Sequence, residues 1–546
     1  MVGSILYVAR AAGAALFFGS LVSRLVTRSG NTGRRLAPKS APRRFPNAIS
    51  VLVLAAVCAV LLSGCGGGKK PAGPLDDALG YFPKNAALVA VVDTDLKSSQ
   101  AQTLGRLLSR LPVGDALVGQ ALNRLQLPGV QFDRDIRPLL GHPLAIGYAR
   151  PPKAGKGLGI DYVLAIHVDK PIKVKQLLLR QSSLLPKGKS SGRRVFQNRF
   201  GGHFAAAVDD HTFVASGSRP ALDAALATRR ADDHMSERDL NDALEGLPSD
   251  AAVRVTADPR ALIGGMPALR PALGVKWLSS LQRAGATLQA QDDGIGLQFK
   301  LKTDAHKLRD EDLPLSSDAT GPVPLIGHSG EAEIGVRDPA RLARFAIAVA
   351  NHLAPQRGKL AASLSDLRKQ GVDLNRDLAG RLGKSGAVAI DPLNGQWAAR
   401  LLLRDPAGLR ASLGKLAMAL PDLAAAFGVP SLGVGTSGEG LNFYALARPG
   451  GKSVVFGVVG GALVAASERS RAAALASKAT HPAPDLPGAL IASVDAKKLA
   501  ARYLSRQLGG LAGLVAPLAV ESLQDLTGGA AVDRNGLTGS FKLTVK

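Results

Sequence analysis

The sequence predicts an α+β fold built twice: two homologous lobes, each a mostly antiparallel sheet with packed helices. Three observations predict it. Segments 242 residues apart repeat one another, apolar strands repeatedly run into Asp and then a helix, and pairs of strand-like runs flank Gly- or Asp-containing turns. Helices mixed with hairpins favour α+β over a doubly wound parallel sheet.

The duplication is read from matched phrases. Gly129-Val130-Gln131-Phe132-Asp133-Arg134-Asp135-Ile136 recurs as Gly371-Val372-Asp373-Leu374-Asn375-Arg376-Asp377-Leu378, and each copy leads into a similar apolar strand, 143–148 and 385–390. Leu281-Gln282 returns as Leu523-Gln524, and Phe299-Lys300-Leu301 as Phe541-Lys542-Leu543. Phe213-Val214-Ala215-Ser216 matches Leu463-Val464-Ala465-Ala466 after a small drift in spacing. The expected organisation is a first lobe at 76–304, a linker at 305–321 rich in charge and then in Ser, Asp, Gly and Pro, and a second lobe at 322–546. A period this long is domain duplication rather than a solenoid repeat. A pseudo-twofold or side-by-side pair is expected, with the cleft between lobes as the place for a ligand or partner.

Six strand-to-helix joints carry Asp. Strands 88–92, 163–168 and 252–256 lead to Asp93 and Asp95, to Asp169 with Pro171, and to Asp258-Pro259. In the second half, 332–336, 400–403 and 490–494 lead to Asp338-Pro339, Asp405-Pro406 and Asp495. An Asp side chain accepts the free N–H groups of a first helical turn and complements the helix dipole. Pro suits the next position because its φ is already helical and it has no N–H to leave unsatisfied. Capping therefore accounts for all six without a ligand. The helices that follow show the 3.6-residue period, as in Leu104, Leu107, Leu108 and Leu111, or Leu409, Leu413 and Leu416.

Hairpins are expected where 204–208 turns through Asp209-Asp210 into 212–215, and where 454–459 turns through Gly460-Gly461 into 463–465. Asp293-Gly294 and Asn535-Gly536 are the strongest short-range hairpin signals, each just before a final strand.

The chain carries few motifs of known chemistry. There is no His-Glu-x-x-His metal motif, Gly-x-Ser-x-Gly nucleophile elbow or phosphate-binding P-loop. His203, Asp209, Asp210 and His211 put metal-ligand residue types in one hairpin. The second half has Lys452 and Gly461 near the places of His203 and His211, and Lys384 opposite His142. What the halves share is scaffold, so a solvated hairpin tip is the expected reading and no metal or other cofactor is assigned. Arg134-Asp135 and Arg376-Asp377 are the shared polar pairs, expected to fix a loop to a strand. With no nucleophile–base constellation, catalysis is not expected.

The first 64 residues read as a signal region. Arg43 and Arg44 precede an apolar stretch, 49–62, interrupted only by Ser50. It is shorter than the roughly 20 residues of a spanning helix and fits a signal h-region. An uncleaved membrane anchor and a buried helix before a glycine linker are the competing readings. Residues 1–40 are apolar and then Arg-rich, and are expected to be an over-long start. The stretch Leu62-Ser63-Gly64-Cys65 resembles the lipobox of bacterial lipoproteins. The resemblance implies cleavage before Cys65, a diacylglyceryl group on its thiol, and a lipid-anchored protein on the extracytoplasmic face of the cell membrane. Residues 65–75 would be the tether.

Composition agrees with that placement. Cys58 and Cys65 are the two cysteines, so the folded part has no disulfide or thiolate site. Residues 1–64 hold eight cationic side chains and no acidic ones, and removing them from the total of +25 leaves +17. Nucleic acid is not the expected partner, because aromatics are 4% and do not interleave with basic runs. Anionic lipid or an acidic wall polymer suits the charge better, and the sequence identifies no protein partner.

The phrase Leu79-Gly80-Tyr81-Phe82-Pro83-Lys84-Asn85-Ala86-Ala87, the strand-Asp joints, and the strand starts at Leu247-Pro248 and Leu486-Pro487 resemble a bacterial envelope family catalogued as domain of unknown function 3352. That resemblance spans most of 76–546, implies an exported or membrane-anchored protein and carries no catalytic residues. The sequence-level expectation is a non-catalytic binding or scaffold protein. A carrier of an apolar or lipidic ligand, and after it an envelope enzyme, are the alternatives.

Overall fold

A computed structural model describes residues 73–110, 137–150, 161–181, 183–199, 204–317, 323–326, 332–353, 358–426, 433–437, 443–447, 453–477, 481–483, 486–508 and 520–546. The lipobox residues Leu62, Ser63, Gly64 and Cys65, together with His203, Arg134 and Asp135, lie outside them.

The first lobe contains α1 (Pro74–Leu79), β1 (Leu88–Val92), α2 (Ser99–Ser109), β2 (Leu144–Tyr148), β3 (Val163–His167), α3 (Pro171–Arg180), β4 (Leu184–Ser190), β5 (Arg193–Asn198), β6 (Ala205–Asp209) and β7 (Thr212–Ser216). It continues through α4 (Arg219–Thr228), α5 (Glu237–Ala243), β8 (Val253–Ala257), α6 (Pro259–Gly265), α7 (Lys276–Ser280), β9 (Leu281–Gln291) and β10 (Gly294–Thr303). Three of these helix starts are set by Ser caps. Ser98 accepts from Ala101 N, Ser218 from Ala221 N, and Ser236 forms a capping box with Asp239. Both faces of the sheet are buried. In β3, Val163 and Ala165 join Leu79, Leu222 and Leu240 of the helices on one face, while Leu164 and Ile166 join Val174 and Leu178 of α3 on the other. This explains why β3 reads as an unbroken apolar run rather than an alternating one.

The second lobe comprises β11 (Pro324–Leu325), β12 (Ala332–Arg337), α8 (Pro339–Leu353), α9 (Gly358–Lys369), α10 (Leu374–Asp377), β13 (Leu382–Ile390), β14 (Trp397–Leu403), α11 (Pro406–Ala426), β15 (Gly433–Ser437), β16 (Phe443–Ala447), β17 (Ser453–Val459) and β18 (Ala462–Ala466). After these come α12 (Arg469–Ser477), β19 (His481–Pro482), β20 (Leu490–Asp495), α13 (Ala496–Leu508), β21 (Leu523–Asp533) and β22 (Gly536–Val545). The pairings give spatial order β4-β5-β6-β7-β3-β2-β1-β8-β9-β10 in the first lobe. The second lobe repeats it as β15-β16-β17-β18-β14-β13-β12-β20-β21-β22. Every pairing is antiparallel, and the fold is α+β with two homologous lobes.

The lobes meet through strand pairing. β10 pairs antiparallel with β22, so all the strands named except β11 and β19 belong to one 20-stranded sheet among the described residues. Gln298 stands opposite Ser540, and these two residues are 242 apart, equivalent positions of the two copies. A local pseudo-twofold axis therefore passes between them. Two equivalent cores flank the junction. One gathers Leu107, Ala290, Ile295, Leu523, Leu543 and Val545; the other gathers Phe345, Val532, Leu537, Leu281 and Leu301 with Trp277. The second also takes Leu308, Leu313 and Leu315, so this described part of the stretch expected as a linker is packed into the junction. Where an open interlobe cleft is expected from sequence, this part of the junction is sheet and apolar core.

Asp258, Asp338, Asp405 and Asp495 each accept the backbone N–H three residues on, from Ala261, Arg341, Gly408 and Lys498. At the first joint the cap is Ser98, and Asp93 and Asp95 bond the N–H groups of Asp95 and Lys97. Asp169 departs from the expectation. The N-cap of α3 is Lys170, with no side-chain cap, and Asp169 turns away from the helix. It lies two residues before Pro171, one too early for the Asp-Pro geometry of Asp258, Asp338 and Asp405.

Candidate functional site

The Asp169 side chain turns instead onto a histidine. β2 runs antiparallel to β3 with Leu144 opposite Ile166, and β3 to β7 with His167 opposite Thr212. The start of β2, the end of β3 and the start of β7 therefore share one end of the first lobe's sheet. His142, His167 and His211 sit there. The His142 and His167 rings are edge-on at 4.8 Å, and His167 stacks on His211 at 5.7 Å. Bonds to backbone carbonyls hold the segments: His211 O accepts from Val168 N at 2.6 Å, and His142 O from the Thr94 hydroxyl Oγ1 at 2.6 Å.

Two carboxylates engage these rings. Asp169 Oδ1 is 2.9 Å from His142 Nε2, and Asp77 Oδ2, from α1, is 3.0 Å from His167 Nδ1. Asp77 Oδ1 accepts in turn from Arg229 Nη2 at 2.8 Å. The side chains of His142 and His167 are 24% and 18% exposed, and that of Asp169 is 70% exposed. One donor atom from each of His142, His167 and Asp169 falls within a set no wider than 4.8 Å. The cluster thus offers two imidazoles and a reachable carboxylate, with an Arg-backed carboxylate behind one ring.

The hairpin residues named from sequence separate in the structure. The turn is Asp210-His211, since Asp209 still pairs with Thr212. Asp209 is buried, accepts from Tyr81 Oη at 3.0 Å and is ion-paired with Arg193. Asp210 is bonded to Arg193 Nη2 at 2.6 Å. Burial, with the Asp209 charge beside it, pushes the Tyr81 phenol far above its usual range and keeps it a hydrogen-bond donor. Asp209 and Asp210 are therefore committed to Arg193, and His211 belongs to the three-histidine cluster.

Arg376 and Asp377 form a local bidentate pair. Arg376 Nε and Nη2 donate to the two Asp377 oxygens at 2.9 and 2.8 Å, and Asp377 Oδ2 also accepts from Asp373 N at 2.8 Å. The Asp377 side chain is 8% exposed. Arg376 is the main reason its carboxyl is held below the usual range, outweighing burial. A folded value below the unfolded one of about 3.9 means that this contribution is present above that value and is lost as pH falls through the folded one. Asp377→Asn is expected to cost about 1.5–3 kcal/mol at neutral pH, with the gap to the parent closing towards pH 3. Urea midpoints across that range check it, and a gap that stays constant with pH would refute the charge assignment.

The sequence missed His167 and the role of Asp169. The available signal was a histidine closing an otherwise apolar strand, followed by an Asp out of step with the other joints. At the equivalent described positions the second lobe carries other residues. The repeat spacing places Lys384 at the position of His142. Leu403 N bonds Gly461 O as Val168 N bonds His211 O, so Leu402, Arg404 and Gly461 occupy the places of His167, Asp169 and His211.

No family model matches the chain, and no curated protein matches it. Among solved structures it is similar to crystal forms I, III and IV of TP0453. The identities are 13%, 10% and 12%, covering 43%, 43% and 41% of this chain and 81%, 82% and 80% of the neighbour, with TM-scores of 0.25, 0.24 and 0.24. The functional reading therefore rests on this chain's own residues.

Proposed function

We propose that the protein is a lipid-anchored, extracytoplasmic cell-envelope protein with a non-catalytic binding or scaffold role. The observation that carries this reading is the order of the leader: Arg43-Arg44, the apolar 49–62, then Leu62-Ser63-Gly64-Cys65, with no cysteine beyond it. The resemblance to the envelope family catalogued as domain of unknown function 3352 supports the same compartment. Among the described residues no helix is long and apolar enough to cross a membrane. α1 begins nine residues after Cys65, a length of chain that reaches at most about 30 Å, so an acylated Cys65 would keep the first lobe near the bilayer. α3 supports an anionic surface as partner. Ile172 and Leu179 are exposed on it beside the exposed Lys173 and Lys175, the combination of apolar and basic groups that favours anionic headgroups.

Cys65→Ser tests the anchor. The parent is expected in the membrane fraction, carrying a metabolically incorporated fatty-acid label, with a mature mass that starts at Cys65. The variant is expected to lose the label and its processing. If both forms retain an intact leader and neither takes the label, the reading is wrong.

A further inference from the structure

We propose that His142, His167 and Asp169 form a binding site for a divalent transition-metal ion, with Zn2+ as the reference ion. The donor set is two imidazoles and one carboxylate, which suits Zn2+ and neighbouring first-row ions. The donors stand within 4.8 Å of one another. Around a tetrahedral ion with bonds of about 2.0–2.2 Å they would stand about 3.3 Å apart. Asp169 Oδ1 and His142 Nε2 already stand 2.9 Å apart, so binding requires His167 and that pair to draw together, with the 70% exposed Asp169 side chain free to re-aim. Three protein donors leave a fourth position for water or a ligand.

The surroundings are those of a supported ligand. Asp77 takes the Nδ1–H of His167 at 3.0 Å, the tautomer that leaves Nε2 with its lone pair, and Arg229 holds Asp77 from behind at 2.8 Å. Carboxylate–histidine pairs of this kind orient metal ligands and raise their basicity. The stacked His211 covers one face of the same ring. The scaffold does not require these residues: the second lobe keeps the strand order with Lys384, Leu402 and Arg404 in their places, and there Asp405 caps its helix while Asp169 does not cap α3. The site does not depend on the anchor, since it lies wholly within the first lobe.

The test uses the full chain in detergent after chelation. Calorimetric titration with ZnCl2 is expected to give one ion per chain, and Co2+ is expected to give a visible d–d absorption band. His142→Ala and His167→Ala should each lower affinity at least ten-fold and abolish the band. Asp77→Asn, a positioning change, should weaken binding by about 10–100-fold while the Co2+ band persists at saturating metal. Absence of stoichiometric binding by the parent, or affinity unchanged in the two histidine variants, would overturn the proposal. Should a histidine variant not fold, Asp169→Asn decides, because an exposed side chain is changed: retained affinity there refutes the site and a ten-fold loss supports it.

Discussion

Gly536→Ala is expected to lower stability by about 1–3 kcal/mol, and Gly294→Ala by a similar amount. The two glycines open β22 and β10, and a Cβ on either would run into a carbonyl oxygen of the facing strand: Leu301 O for Gly536, Leu543 O for Gly294. Neither obstacle is a flexible side chain that could swing aside. The pair sits at opposite ends of the β10–β22 ladder, where Gly294 faces Thr544 and Gly536 faces Lys302. At that separation their costs should add. Gly105→Ala supplies the contrast. Its Cβ would meet nothing within 4 Å, and Gly105 lies inside α2, so that change should stabilise by about 0.5–1 kcal/mol. Urea denaturation of the three variants checks the set, and a neutral Gly536→Ala would mean that the junction strands are free to part.

Trp277→Ala is expected to cost more, about 3–5 kcal/mol. Trp277 is 5% exposed and meets Phe345 of the other lobe edge-on at 5.8 Å. Truncation leaves a cavity in a buried cluster drawn from both lobes and from Leu308, Leu313 and Leu315, and the cost depends on how far those walls can relax into it. Trp277→Phe should behave differently. The indole Nε1 is buried with no hydrogen-bond partner among the described residues, so replacing the ring by phenyl removes volume but also an unsatisfied donor. A loss below about 1.5 kcal/mol is expected for Trp277→Phe. Equal losses for the two variants in thermal or urea unfolding would show that the polar edge, not the packed volume, is what matters there.

The architecture was legible where chemistry is local. Gly460-Gly461 and Asn535-Gly536 mark hairpins because few other residues suit tight turns, although the structure puts Arg534-Asn535 in the turn and Gly536 at the start of β22. The Asp-Pro joints were legible for the same reason, since a cap is a contact three residues long. The duplication was legible because both copies keep the same strand phrases. The β10–β22 pairing was not. Period-two burial says which way a side chain faces, not which strand lies alongside. The histidine cluster was illegible on the same ground: His167 meets His211 only because β3 pairs with β7 across three intervening strands. Asp169, grouped with the caps by its neighbours, is set apart by a single residue of spacing.

The pairing of Gln298 with Ser540 has a further consequence. Each lobe by itself would finish at a ten-residue strand with an open ladder, β10 or β22, the kind of edge that recruits other chains. Because equivalent residues face each other across the axis, that edge is self-complementary, as in a twofold homodimer. Carrying both copies in one chain makes the association intramolecular and independent of protein concentration. Among the described residues the sheet ends at β4 and β15, and β4 presents Pro186, Lys187 and Lys189 to solvent, residues that discourage another strand from adding. Duplication in this protein thus turns a strand edge that could recruit another chain into an internal junction.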